Sequence, residues 1–198
     1  KGLCEDTFGS GLNDPRTRPG LLKWREVLHW ADAATVTCVS CGGTFYRTTE
    51  KCPWCNAGRP SHILVTLVDV LPEIKSFREE ISDGLGVPKD GLPRNDTQPL
   101  GQLVVSAGEN RVVSDFHLAA GDPGFARISI SFAGGNVQLT NSACDDLHIA
   151  HERSWRSLKT GGTAQLCLPL GQGLIAARYG NMTSRHVALK ISSVAGVQ

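Results

Sequence analysis

The chain has 198 residues, 40% of them hydrophobic and 20% charged. That mix excludes wholesale disorder and leaves room for one large domain or two to three small ones. Its 20 Lys and Arg nearly cancel its 19 Asp and Glu, so no overall field draws it to nucleic acid or an anionic membrane. No apolar run approaches the ~18 residues of a membrane span; the longest, Ile63 to Leu71, is interrupted by Thr66 and Asp69. The start, Lys1-Gly2-Leu3-Cys4, has neither Met nor a signal-peptide core and reads as a piece of a longer protein.

In chain order, residues 1–34 read as helical. Leu21, Trp24, Val27, Leu28 and Ala31 recur at helical spacing as one apolar stripe, and Asp14-Pro15 and Arg18-Pro19 punctuate the approach to it. Residues 35–71 hold two cysteine pairs and then a β-branched run, His62–Val70, expected to be a strand packed against the cysteine module. Residues 72–99 are rich in Gly, Pro and Asp and are expected to be a linker. From 100 to 198 the texture becomes short alternating segments between turns. Val112, Ser114, Phe116 and Leu118 form one face. Ala126, Ile128, Ile130 and Phe132 form the next, and Gly134-Gly135-Asn136 is a hairpin turn before Val137 and Leu139. Seven or eight such strands predict an antiparallel β-sandwich or small barrel. The expected fold is therefore mostly β: a helical remnant, a four-cysteine zinc ribbon, then an antiparallel β-sandwich.

Cys38-Val-Ser-Cys41 and Cys52-Pro-Trp-Cys55 stand ten residues apart. A two-residue gap lets both sulfurs of a pair turn inward on one knuckle, with Gly42-Gly43 and Asn56 supplying left-handed backbone where the chain curls away. Two facing knuckles provide the tetrahedral thiolate set that Zn²⁺ accepts, with no open position for water, which predicts a structural and not a catalytic metal. A module of about 25 residues buries too little to fold alone, so a metal supplies what the core lacks. Two disulfides, a redox dithiol and rubredoxin-like iron are the alternatives. Paired cysteines with single leftover thiols fit a reducing cytoplasm. A nucleic-acid-binding zinc ribbon is the alternative function, on the thin basic patch Arg47, Lys51 and Arg59 against Glu50.

The segment Phe8-Gly-Ser-Gly-Leu-Asn-Asp14-Pro15-Arg16-Thr-Arg18-Pro19, followed by Trp24 and Leu28, resembles the last helices of a Ser/Thr protein kinase C-lobe. Arg18 matches the arginine that, in that family, pairs with a glutamate ending the activation segment. With the zinc knuckles behind it, residues 3–58 are similar to bacterial kinases of kinase–phosphatase–von Willebrand A triads linked to tellurite-resistance-type operons. The resemblance implies a kinase parent, a von Willebrand A protein as partner and a PP2C-type phosphatase as a second. The chain itself has no Gly-rich loop with its lysine, no His-Arg-Asp and no Asp-Phe-Gly, so it is expected to be a non-catalytic regulatory and docking region. A von Willebrand A domain binds through a Mg²⁺ whose open position takes a carboxylate. Asp122, Asp145 and Asp146, at expected sandwich turns, are the candidate donors, the Mg²⁺ being shared with the partner's site. Trp155, between Arg153 and Arg156, is a candidate interface anchor. His148 and His151 near Cys144 make a weaker metal candidate, since an i, i+3 pair on a strand points to opposite faces.

Overall fold

The computed structural model describes residues 2–70, 97–114, 117, 127–143, 146–151, 154–167, 174–178 and 186–197. The chain divides into two compact units, Lys1–Ala34 and Thr35–Gln198.

The first unit is helical. Helix α1 (Gly2–Glu5) runs through a π-helical turn, Asp6–Ser10, into α2 (Gly11–Asn13); a 3-10 turn, Pro15–Thr17, then precedes α3 (Leu21–Ala33). Asp14 caps the 3-10 turn: its carboxylate accepts from the Arg16 backbone N–H at 3.1 Å and pairs with Arg16 Nε at 3.0 Å, with Pro15 at the position where a missing N–H costs nothing. Those bonds hold the Asp14 carboxyl below its ordinary range, the Arg16 side chain contributing most. Arg18 Nε donates to the Gly11 carbonyl at 2.8 Å. A Cβ on Gly11 would lie 2.8 Å from Arg18 Cγ, so that close approach needs glycine. The expected apolar stripe is helical but not covered: Leu21 and Leu28 are exposed, and Trp24 and Val27 only half-buried.

The second unit begins with the ribbon. Strands β1 (Thr35–Thr37) and β2 (Thr44–Tyr46) pair antiparallel with Val36 opposite Phe45. Then follow β3 (His62–Val70), β4 (Thr97–Ser106), β5 (Asn110–Ser114), β6 (Arg127–Ala133), β7 (Asn136–Ala143), β8 (Asp146–His151), β9 (Ser154–Leu158), β10 (Thr163–Cys167), β11 (Leu174–Arg178) and β12 (His186–Val194). They form two antiparallel sheets, one of six strands in the order β4-β3-β12-β11-β8-β9 and one of four in the order β10-β7-β6-β5. The chain is thus mostly β and antiparallel, as its alternation implies. Gly134 and Gly135, at φ 56° and 79°, make the β6–β7 hairpin turn that L-residues with side chains would resist.

The sandwich core comes from alternate residues: Ile63, Val65, Leu67, Leu103, Val105, Leu147 and Leu189 of the larger sheet, and Val113, Ile128, Ile130, Val137, Leu139 and Leu166 of the smaller. Asn141 Nδ2, in β7, donates to the Leu158 carbonyl of β9 at 2.7 Å and ties the two sheets together.

Three expectations are corrected. The apolar face of β5 is inverted: Val113 is buried and Val112 exposed, because pairing with β6 sets Val113 opposite Ile128, and a one-residue shift exchanges every side chain between faces. The boundary at residue 71 does not separate ribbon from sandwich, since β3 is an interior strand of the six-stranded sheet between β4 and β12. The segment 72–99 ends inside β4, which begins at Thr97; the rest of that expected linker lies outside the described residues.

β3 does pack on the cysteine module. Leu64 of β3 and Val104 of β4 join Val36, Cys38, Phe45, Cys52 and Ala57 in one apolar cluster. Residues 63, 65 and 67 point into the sandwich while 62, 64 and 66 face the ribbon, so this sheet edge is covered on both faces. That explains why Ile63–Val65 and Leu103–Val105 read as continuous apolar runs.

Candidate metal centre

Each knuckle is built by the same two backbone bonds. In the first, the Cys38 N–H donates to the Gly43 carbonyl and the Gly42 N–H to the Cys38 carbonyl, both at 2.9 Å. In the second, the Cys52 N–H donates to the Ala57 carbonyl at 2.7 Å and the Asn56 N–H to the Cys52 carbonyl at 2.8 Å. The residue that closes each loop is left-handed: Gly42 at φ 72° and Asn56 at φ 61°. These are residue types that tolerate that region, and they stand where the spacing places them. A bridge between Lys51 and Gly58 closes the second knuckle at its base.

The four sulfurs of Cys38, Cys41, Cys52 and Cys55 lie within 4.8 Å of one another. Cys38 to Cys55 and Cys41 to Cys52 are each 3.6 Å apart. A disulfide needs about 2.05 Å, so neither pair is bonded. A tetrahedral ion with metal–sulfur bonds of about 2.3 Å would hold its sulfurs about 3.8 Å apart, and the observed set fits that cage. Four cysteines thus form a site that can hold a metal ion, with every tetrahedral position supplied by the protein.

The electrostatics point the same way. Backbone N–H groups of Cys41 and Ser40 aim at the Cys38 sulfur and bring its thiol down to about 6. The Gly43 N–H likewise favours a Cys41 thiolate and the Ala57 N–H a Cys55 thiolate. Burial and the sulfurs of Cys52 and Cys38 nonetheless raise Cys41, and the other three sulfurs together with burial push Cys55 up to about 12. Four negative sulfurs cannot coexist this closely by themselves, and a cation at their centre removes the repulsion.

Trp54 braces the two knuckles. Its Nε1 donates to the Thr44 carbonyl at 3.3 Å, and its ring lies so close over Gly43 that a Cβ there would come within 2.4 Å of Cδ1. The ring still leaves 72% of the residue exposed. The ribbon is fastened to the sandwich by polar bonds as well: the Thr37 N–H donates to Ser106 Oγ at 3.2 Å. Glu109 accepts from the Thr37 hydroxyl and, at 3.2 Å, from the Ser106 N–H. The sequence carries no local signal for this clamp, because Thr37 and Glu109 are 72 residues apart.

Of the other candidates, Asp122 and Asp145 lie outside the described residues. Asp146 is not at a turn; it opens β8, in register with Arg178 of β11. Trp155 sits in β9 opposite Ala150. His148 and His151 both belong to β8. No helix among the described residues is long and apolar enough to cross a membrane. Set against known protein families, characterised proteins and solved structures, the chain matches none.

Proposed function

We propose that Cys38, Cys41, Cys52 and Cys55 hold one structural Zn²⁺, and that the chain is a non-catalytic, partner-docking region of a bacterial Ser/Thr kinase. Zinc is favoured because a closed four-thiolate shell on a small ribbon suits an ion without redox chemistry or a preferred geometry of its own. Equimolar zinc by elemental analysis, with no iron absorption in the visible, is the expected result; stoichiometric iron would replace this reading.

The observation that carries docking is the state of the helical unit. Phe8, Leu12, Leu21, Leu22 and Leu28 are 57–87% exposed, whereas among the described residues of that unit only Gly11, Ala33 and Ala34 are buried. Helices with so little core of their own belong against another surface, which suits the resemblance to the end of a kinase C-lobe. The partner on this reading is a von Willebrand A protein that takes a carboxylate from the sandwich through Mg²⁺, with Asp122 and Asp145 as donors. Titration calorimetry with that protein, with and without Mg²⁺, tests it. Binding lost on removing Mg²⁺ and on Asp122→Asn or Asp145→Asn is expected, and metal-independent binding by all variants would refute it.

A further inference from the structure

We propose that the ribbon-covered face of the β3–β4 edge carries an oxyanion site, in which Arg47 and Arg59 take a phosphate group. The two residues come from different parts of the ribbon: Arg47 follows β2, and Arg59 follows the second knuckle. Arg59 Nη1 donates to the Arg47 carbonyl at 2.6 Å, and Arg47 Nη2 donates to Gln102 Oε1 of β4 at 2.8 Å. Gln102 Nε2 in turn reaches Thr66 Oγ1 of β3 at 3.4 Å.

All of these acceptors are neutral. Arg16, Lys23 and Arg111 each have a carboxylate within ion-pair reach; among the described residues, Arg47 and Arg59 have none. Glu50 takes the Arg59 backbone N–H on its own carbonyl, yet its side chain is exposed and forms no ion pair with either arginine. Both Nε atoms are buried without a hydrogen-bond partner. A buried charged donor left unsatisfied is costly, and structures that retain one often hold an ion or water there. Here two such donors belong to Arg47 and Arg59, two cations joined through the Arg47 backbone carbonyl. Their field reaches His62, which is 1% exposed and bonded to the Pro60 carbonyl at 3.1 Å. Its pKa is depressed first by burial, with the charges of Arg59 and Arg47 adding to the effect.

The missing component is an acceptor with several oxygens and more than one negative charge. A guanidinium carries roughly five donors in a planar fork, and each of these two has one engaged in a hydrogen bond. A single carboxylate satisfies one fork, whereas a tetrahedral dianion presents oxygens to both. This site involves the ribbon and the sheet alone and is independent of the docking reading.

The test is thermal melting of the metal-loaded protein in inorganic phosphate against chloride at equal ionic strength. At tenfold excess over the dissociation constant, phosphate should raise the midpoint by roughly 3–5 °C. The double variant Arg47→Gln with Arg59→Gln should lose that rise, its melting in chloride serving as the control for folding. A second reading needs no variant: in the wild-type protein, phosphate should raise the His62 pKa followed by NMR, because a bound anion offsets the two cations, while chloride should not. A phosphoserine-bearing peptide and its unphosphorylated twin separate the sources. Tighter binding of the phosphopeptide assigns the phosphate to a modified protein, and equal binding of free phosphate assigns it to the solvent pool. Identical melting in phosphate and chloride, or a phosphate effect surviving in the double variant, would overturn the proposal.

Discussion

The ribbon and the helical unit are both too short to stabilise themselves by burial, and they meet that shortage in opposite ways. The ribbon turns Val36, Phe45 and two of its four cysteines inward, against Leu64 and Val104 of the sheet, and brings its sulfurs to metal-binding distance. The helical unit forms good local structure, with a capped turn and a 13-residue helix, yet leaves its large apolar side chains in solvent. Local geometry is thus separable from stability: caps and spacing shape a segment, and only contact with another surface or an ion holds it.

The largest expected effect comes from breaking the ribbon's solution. On the proposed zinc site, stripping the ion with a strong chelator, or replacing Cys52 by Ser, should forfeit binding energy on the order of 10 kcal/mol. Hydrogen exchange should then rise across β1, β2 and the ribbon-facing edge of β3 and β4, while the helical unit should not respond. Next is Phe45→Ala, expected to cost about 3–5 kcal/mol in chemical denaturation of the metal-loaded protein. Gly42→Ala forces a side chain into the left-handed region and should cost about 1–2 kcal/mol with weaker metal affinity, measurable by competition with a chromophoric chelator.

A smaller effect is pH-dependent. The folded pKa of His62 lies below its ordinary 6.5, so below that pH the unfolded chain binds the extra proton more readily. Stability should therefore fall as pH drops from 6.5 through the folded value and then level off. His62→Gln should flatten this part of the curve, leaving only the loss due to protonation of the metal ligands. Smallest of all is Leu21→Ser in α3, expected to change stability by no more than about 0.5 kcal/mol because the side chain is exposed. A cost of several kcal/mol would mean that the helical unit has a core after all and would erase the contrast with the ribbon.

The metal site was legible because its information is local. Each knuckle spans six residues, and the Cys-x-x-Cys spacing with Gly42 or Asn56 behind it describes nearly the whole loop. The alternation of Ile128, Ile130 and Phe132, and of Val137 and Leu139, likewise marked an inward face, since period two is a property of the strand itself. In β5 two adjacent valines offered both phases, and the choice of Val113 waited for the partner strand. The Arg47–Gln102 and Thr37–Glu109 contacts left no trace, because they join residues 55 and 72 positions apart.

By itself, then, the amino-acid order determined the knuckles, the strand alternation, the hairpin at Gly134-Gly135 and the helical character of residues 1–34, all set by steric and hydrogen-bonding rules that act within a few residues. Tertiary structure alone decided that β4 joins β3 beneath the ribbon, which face of β5 turns inward, and that, among the described residues, Arg47 and Arg59 have no carboxylate in ion-pair reach. Those outcomes depend on which distant surfaces exclude water from each other, and that exclusion is a property of the assembled layers.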